Sequence, residues 1–198
     1  MRTIPICVLL LSAVACNRMP SATPAELVQW VENPKHGLLK QKIIDGIQYD
    51  LQYRPLEYIT AKEADDKLLT TAFIQERKAR LSGMEYYHLR VGSANGGEVL
   101  MANCNSQDDY HTRNTYLMFD FRQDIHLVAN DDTLPCMLYH YENHQGLAPY
   151  ADILMAFEKT GTAADRTILI NDKVFGNGLI KLEISEQDIQ QVPALIVQ

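Results

Sequence analysis

Residues 47–54 alternate strictly between apolar and polar side chains, and this alternation is the strongest constraint that the sequence places on the fold. Ile47, Tyr49, Leu51 and Tyr53 fall on one side of the repeat. A period of two is that of a β-strand with one buried and one solvated face. The segment is therefore predicted to be a strand of a sheet that covers a hydrophobic core.

The residues before this strand predict a hairpin. Asp45 and Gly46 are turn formers, but a two-residue loop would place two lysines opposite buried positions of the strand. A three-residue loop, Ile44-Asp45-Gly46, instead pairs Ile43 with Ile47 and uses the glycine in the left-handed conformation that such a loop requires. We therefore predict the three-residue loop.

Two segments carry helix signals. Residues 25–32 follow Pro24 and have apolar residues at helical spacing, which predicts a short helix. Thr60 and Glu63 have the spacing of a capping box, in which each side chain satisfies a backbone N–H at the start of a helix. Apolar residues then continue at helical spacing to about Leu81. This second segment is predicted to form one substantial helix.

The rest of the chain consists of short apolar runs separated by Gly, Asn and Asp clusters, a pattern of strands joined by turns. The predicted strands are 85–91, 98–102, 116–122, 125–128, 136–141, 153–157, 167–170 and 179–184. With the first hairpin they give about ten strands. We therefore predict that residues 25–198 form a single mainly β (α+β) domain, an antiparallel β-sandwich-like fold with one substantial helix and short terminal helices.

Composition restricts the partners of this domain. The chain has 198 residues, a formal net charge of -7 and a pI near 5.3. An acidic chain of this kind lacks the basic face that releases counterions from a phosphate backbone, so no nucleic acid partner is expected. Its 46% hydrophobic and 22% charged residues are typical of a folded globular domain.

The N-terminal residues have the layout of a secretory signal. Arg2 supplies a basic start, residues 4–11 form an apolar run, and small residues lead to Cys16. The apolar run is shorter than the roughly 20 residues that a membrane-spanning helix requires. The run Ala13-Val14-Ala15-Cys16 resembles the lipobox of bacterial lipoproteins, in which leucine most commonly stands where this chain has Ala13. The resemblance implies removal of a signal peptide, residues 1–15, and acylation of Cys16; an ordinary cleaved signal is the alternative.

The resemblance also implies a location. Asn17 follows the modified cysteine, and in lipoproteins of enteric type an aspartate at this position marks retention in the inner membrane. The outer membrane is therefore implied, with either the periplasmic face or the cell surface as the side that the domain occupies. Residues 16–24 contain prolines and small residues that stay extended, and they are predicted to be a tether between the lipid and the domain.

Cys104 and Cys136 are the cysteines that remain in the folded part after export and lipidation. An oxidising compartment favours a disulfide between two such residues. Two separate buried thiols are the alternative, because the sequence does not place the two Cα atoms within disulfide reach.

His140, Glu142 and His144 form the most suggestive group of potential metal ligands. Residues two apart on a strand point to the same side, so all three would line one face. Successive positions on that face lie roughly 7 Å apart, so a bend or a second strand is needed before three of them can reach one ion. A solvated polar face is the alternative interpretation.

Tyr86, His88 and Arg90 form a second candidate site by the same parity argument. They alternate with apolar residues of the predicted strand 85–91 and would share its exposed face. Such a row can serve as a binding strip, and the chain has 10 tyrosines that could contribute stacking surfaces for sugars. An ordinary solvated sheet face is again the alternative.

The sequence contains no His-Glu-x-x-His zinc motif, no phosphate-binding loop and no dinucleotide fingerprint. We therefore expect a membrane-anchored lipoprotein that acts as a binding or assembly module of an envelope complex, with membrane lipid and an envelope protein as partners and no cofactor. One alternative is a metal-dependent envelope enzyme that uses His140, Glu142 and His144. The other is a glycan-binding surface lipoprotein.

Overall fold

The computed structural model describes residues 21–63, 69–144, 147–161 and 163–196. The predicted signal peptide, Cys16 and most of the predicted tether lie outside the described residues. The described chain is mostly β, with antiparallel sheets and a few helices. The predicted mainly β class is therefore confirmed.

The strands are short and separated by turns or helices. They are β1 Ser21–Ala22, β2 Leu39–Ile44, β3 Ile47–Arg54, β4 Met84–Ser93, β5 Ile125–Ala129, β6 Asp132–Pro135, β7 Leu138–Asn143, β8 Tyr150–Glu158, β9 Arg166–Asp172, β10 Gly178–Ile184 and β11 Ala194–Leu195. The α-helices are α1 Pro24–Glu32, α2 Leu56–Glu63, α3 Thr71–Leu81, α4 Gln107–Phe119 and α5 Glu186–Gln190.

The longer strands form two antiparallel sheets. One has five strands in the order β2-β3-β4-β8-β7, and the other has four in the order β10-β9-β5-β6. The short strands β1 and β11 pair in parallel, with Ser21 opposite Ala194. The last residues of the predicted tether, 21–24, are thus already part of the fold.

The hydrophobic core contains buried side chains from both sheets. Tyr49 and Leu51 are fully buried, as the alternation of β3 predicts. The hydroxyl of Tyr49 donates to Asp172 Oδ2 of β9 at 2.6 Å. The guanidinium of Arg166 in β9 donates from Nε and Nη2 to both carboxylate oxygens of Glu85 in β4, each at 2.8 Å. Because buried polar groups are costly unless they are paired, these two contacts hold β9 to β3 and β4.

The predicted short terminal helices are present. Thr23 caps α1 with a full capping box, since its side chain accepts the backbone N–H of Glu26 while the Glu26 carboxylate accepts the N–H of Thr23. Ser185 caps α5 by accepting the backbone N–H of Asp188 at 3.1 Å. Among the described residues, none of the helices is both long and apolar enough to cross a membrane.

The predicted three-residue hairpin loop is wrong. Ile44 pairs directly with Ile47, so the loop is the dipeptide Asp45-Gly46, whose φ angles of 47° and 77° are those of a type I′ turn. This register places lysines opposite buried positions of β3, and it is tolerated because β2 is an edge strand. There Lys40 keeps 34% of its side chain exposed, and its Nζ lies 3.7 Å from Asp188 Oδ2.

The predicted start of the substantial helix is also wrong. α2 begins at Leu56, directly after Pro55, and Thr60 lies buried inside it, where its hydroxyl donates to the Leu56 carbonyl at 2.7 Å. Residues 69–70 are not helical, and Thr70 caps a separate helix, α3, which ends at Leu81 as predicted. Because Thr60 lies a full turn inside α2, the backbone N–H groups that follow it are not the free ones at the helix start, and its side chain cannot cap them.

Two predicted strands are helical. Residues 98–102 contain a short 3-10 helix, Val99–Met101, and residues 116–122 belong to α4 and to the 3-10 helix that follows it. Ser106 begins α4 by accepting the backbone N–H of Asp109 at 3.1 Å. The expectation of one substantial helix is therefore wrong in number, since α1 to α4 have 9, 8, 11 and 13 residues in the described chain.

Candidate functional site

The outer face of the five-stranded sheet carries the side chains that alternate with its buried ones. Strand register aligns these side chains in rows that cross β3, β4, β8 and β7. The three rows are Arg54, Tyr86, Ala156 and Leu138; Gln52, His88, Leu154 and His140; and Asp50, Arg90, Asp152 and Glu142. The face therefore changes from apolar to charged along the strand direction.

Asp152 lies in the charged row and collects three basic side chains. Arg90 donates from Nε to Oδ1 at 2.8 Å and from Nη2 to Oδ2 at 3.1 Å. His88 Nε2 lies 2.9 Å from Oδ1, and His144 Nε2 lies 3.0 Å from Oδ2. We call these four residues the Asp152 cluster. The Arg90 guanidinium also lies over the ring of Tyr150, with 3.7 Å between its carbon and the ring centroid.

These contacts determine the charge of the cluster. Burial raises the pKa of Asp152, but the hydrogen bonds from His88, Arg90 and His144 outweigh burial and hold the pKa well below its usual range. The hydrogen bond to Asp152 in turn raises the pKa of the Arg90 guanidinium. The carboxylate therefore stays ionised and has no proton to donate, so its role is to hold the three basic side chains in place.

Replacing Asp152 with asparagine is expected to lower the free energy of unfolding by about 2 kcal/mol at pH 7, because charge-assisted hydrogen bonds are lost. The folded-state pKa of Asp152 lies below the unfolded value, so this stabilisation is present above about pH 4 and is lost as the pH falls through the folded-state pKa. Urea unfolding of the wild type and the variant at pH 7 and at about pH 2.5 measures the difference.

The difference in the free energy of unfolding between the wild type and Asp152→Asn should be smaller at the lower pH. Asp131→Asn, in the exposed turn between β5 and β6, is the matched control and should change the free energy of unfolding little at either pH. An equal difference at both pH values would show that the ionised carboxylate is not what stabilises the fold.

A polar groove of about 350 Å³ lies beside the Asp152 cluster, between the outer face and the helices α1 and α2. Its lining residues are Glu32, Leu39, Asp50, Gln52, Tyr58, Lys62, His88 and Arg90. The buried amide of Gln52 holds the helical wall to the sheet by donating to the carbonyls of Val31 and Leu38, both at 3.1 Å. The groove is therefore built on fixed elements and not on a loop.

The charged side chains that line the polar groove are held by hydrogen bonds. Glu32 Oε1 accepts from the Tyr58 hydroxyl at 2.8 Å and from Lys62 Nζ at 2.9 Å. Both oxygens of Asp50 accept from the neutral side-chain amide of Gln48, at 2.9 and 2.8 Å. Burial raises the pKa of Glu32, but the hydrogen bonds from Lys62 and Tyr58 outweigh burial and lower it overall. The lining thus contains acidic and basic side chains in equal number, Glu32 and Asp50 beside Lys62 and Arg90.

An apolar groove of about 440 Å³ adjoins the first two rows on the side of α2 and α3. Among its lining residues are Arg54, Ile59, Glu63, Leu81, Tyr86, Leu138, His140 and Leu154. Leu138 is 54% exposed and Leu154 is 37% exposed, so both contribute apolar surface to this groove. The outer face therefore combines an exposed apolar region with a charged one.

The chain was compared with protein-family models, curated proteins and solved structures. None of them matches.

The structure brings together the predicted strip of Tyr86, His88 and Arg90. All three lie on the outer face of β4, one in each row. His88 and Arg90 meet on Asp152, while Tyr86 lines the apolar groove. The strip is therefore not a separate site but the line where the charged and apolar parts of the face join.

The three predicted metal ligands do not converge on one point. His140 and Glu142 lie exposed on the outer face of β7, whereas His144 turns onto Asp152. Among the described residues, no group of three His, Cys, Asp or Glu side chains is arranged to hold a metal ion.

Cys104 and Cys136 are both free thiols in the structure. The Sγ atom of Cys104 lies 3.1 Å from the Leu100 carbonyl oxygen, and that of Cys136 lies 3.0 Å from the Leu138 carbonyl oxygen. Burial raises the pKa of the Cys136 thiol to about 11. A thiol that stays protonated at neutral pH is a poor nucleophile, so Cys136 acts as a small buried side chain.

Sequence reasoning missed the residues that organise the face. Asp152 stands at the end of a predicted strand, and its outward direction could be read from its parity with Leu154. Its pairing with His88 and Arg90 could not, because register between β4 and β8 depends on contacts more than 60 residues apart in sequence. The contact between Glu32 and Lys62 could not be predicted for the same reason, since it joins two different helices.

Proposed function

We propose that this protein is a lipid-anchored binding module that holds a protein partner of the cell envelope on the outer face of its five-stranded sheet. The Asp152 cluster contributes position and charge, and the apolar groove contributes the binding energy. Membrane attachment is through acylated Cys16, in the outer membrane, as the lipobox resemblance and Asn17 imply.

The apolar groove is the observation that supports a protein partner. Tyr86, Leu138 and Leu154 place exposed apolar surface at its centre, and Arg54, Glu63 and His140 supply charged or polar groups around it. An apolar centre with a polar rim is the anatomy of a protein–protein interface, in which tyrosine and arginine are enriched. Leu138 of β7 and Leu154 of β8 are diagonal neighbours across adjacent strands, and a contiguous exposed apolar patch of this kind supports an interaction site.

A rigid scaffold is needed for such a face to bind without a large ordering cost. We infer that the two sheets pack face to face as an antiparallel β-sandwich. The Tyr49–Asp172 hydrogen bond and the buried Glu85–Arg166 ion pair connect the sheets, and both support this arrangement. A sandwich would present the outer face of the five-stranded sheet on a fixed platform.

In-cell crosslinking of the lipidated protein in its host, followed by mass spectrometry, is expected to recover a reproducible envelope protein partner. Leu138→Lys should reduce the recovery of that partner at least about tenfold, because an ammonium group at the apolar centre has to be desolvated on binding. The measurement is the amount of crosslinked partner per amount of lipidated protein.

Leu179→Lys is the matched control. Leu179 is 60% exposed on the edge strand β10 of the other sheet, so this variant carries the same change on a comparable strand away from the outer face. Leu179→Lys should give as much crosslinked partner as the wild type. Equal loss in both variants, or no reproducible partner in a host that expresses and lipidates the protein, would count against the proposed function.

A further inference from the structure

We propose that the polar groove is a second binding site, separate from the apolar groove, and that it takes an uncharged polyhydroxylated ligand, a neutral oligosaccharide. The site is formed by Glu32 and Lys62 of the helices and by Asp50, His88 and Arg90 of the sheet. It goes beyond the apolar groove, with which it shares none of its lining residues, and it uses His88 and Arg90 of the Asp152 cluster on their other side.

The groove keeps several acceptors without partners among the described residues. Glu32 receives both of its hydrogen bonds on Oε1, which leaves Oε2 available to a ligand. Asp50 accepts only from Gln48, one contact on each oxygen, although a carboxylate has about four lone-pair sites. Each of these oxygens can accept a hydroxyl hydrogen.

The same lining offers a further acceptor and several donors. His88 contacts Asp152 through Nε2, which carries the hydrogen because a carboxylate only accepts, so Nδ1 is an acceptor in the neutral imidazole and has no partner in the described part of the chain. Arg90 uses Nε and Nη2 for Asp152, and the Nη1 hydrogens are not engaged there. Lys62 gives one of its N–H groups to Glu32. Because a sugar hydroxyl both donates and accepts, alternating donors and acceptors of this kind match adjacent hydroxyls of a sugar ring.

The balance of charges in the lining explains why the ligand is neutral. The acidic Glu32 and Asp50 are matched by the basic Lys62 and Arg90, so neither an anion nor a cation meets a net opposite charge in the lining. A charged ligand would therefore lose its hydration without a net opposite charge to replace it. A neutral polyol uses the remaining hydrogen-bonding capacity and leaves each ion pair intact.

The dimensions of the groove fit a short saccharide. Its volume of about 350 Å³ is near the lower end for small-molecule sites, which is enough for about one or two sugar rings. Leu39 adds an apolar surface against which the C–H face of a ring can pack. An open groove of this kind predicts weak binding, with a dissociation constant on the order of 1 mM.

Saturation-transfer NMR on the full-length protein in detergent micelles tests this site. The probes are the neutral trimers cellotriose, maltotriose, mannotriose and chitotriose, with trigalacturonate as an anionic comparison and the chitosan trimer as a cationic one. We expect a saturable signal from at least one neutral trimer. Asp50→Asn should weaken that binding about tenfold, because a hydrogen bond to a charged acceptor is lost.

Asp108→Asn, an exposed residue in the first turn of α4, is the matched control and should leave the sugar affinity unchanged. The absence of a saturable signal from all four neutral trimers would overturn the proposal. Preference for either charged trimer, or binding that Asp50→Asn does not weaken, would overturn it as well. Leu138→Lys should keep the sugar affinity while it loses the protein partner, so failure of this site and failure of the partner surface can be told apart.

Discussion

Glu85→Gln is expected to lower the free energy of unfolding by about 3–5 kcal/mol, because it leaves the guanidinium of Arg166 buried without its bidentate negative partner. The side chains of Glu85 and Arg166 are 3% and 6% exposed, and two parallel hydrogen bonds of 2.8 Å join them. In the variant the nearest remaining carboxylate is that of Glu186, whose Oε2 lies 3.5 Å from Arg166 Nη1. Urea unfolding followed by circular dichroism at neutral pH measures the change.

Two further variants define this effect. Glu57→Gln removes the carboxylate of an ion pair with Lys78, whose side chain is 45% exposed, and should cost no more than about 1 kcal/mol. The double variant Glu85→Leu with Arg166→Met replaces the buried pair with apolar side chains and should recover most of the loss. A cost for Glu85→Gln as small as that for Glu57→Gln would mean that the pair does not hold the sheets together.

Cys16→Ser is expected to abolish incorporation of palmitate into the protein, because serine cannot form the thioether that carries the diacylglyceryl group. Two or three acyl chains bind a bilayer far more firmly than one chain, which gives only marginal attachment. Metabolic labelling with an alkyne-bearing palmitate, followed by immunoprecipitation, measures lipid directly and does not depend on where the variant accumulates.

Cys7→Ser is the matched control, since Cys7 belongs to the apolar run of the predicted signal and not to the lipobox. Cys7→Ser should incorporate as much labelled palmitate as the wild type. Retention of the label in Cys16→Ser would rule out Cys16 as the lipidated residue, and an unlabelled wild type would favour the ordinary cleaved signal.

The strands with clear alternation could be predicted because each has one buried and one solvated face. Residues 47–54 and 85–91 are examples, and both are strands in the structure. Residues 116–122 misled the prediction because tyrosine, leucine and phenylalanine favour strands whenever packing is unknown. The useful signal lay upstream, where Ser106 stands three residues before Asp109 in the arrangement of a helix cap.

The candidate site was predictable only within a single strand. The parity of β4 correctly placed Tyr86, His88 and Arg90 on one face. The partner carboxylate, Asp152, comes from a neighbouring strand, and parity within one strand says nothing about which residue of the next strand lies opposite. Hydrophobic pattern therefore locates a face, while long-range register decides what chemistry the face carries.

The two-residue hairpin has a consequence for how copies of this protein behave when they are crowded. Its register turns Lys40 and Lys42 of β2 to the same side as the buried Tyr49 and Leu51. An edge strand offers unpaired backbone groups to any neighbour that could extend the sheet, and inward-pointing charges oppose such pairing. These lysines are expected to hinder polymerisation through β2, and the more so if the proposed lipid anchor confines the molecules to a membrane plane, where edges collide more often than in free solution.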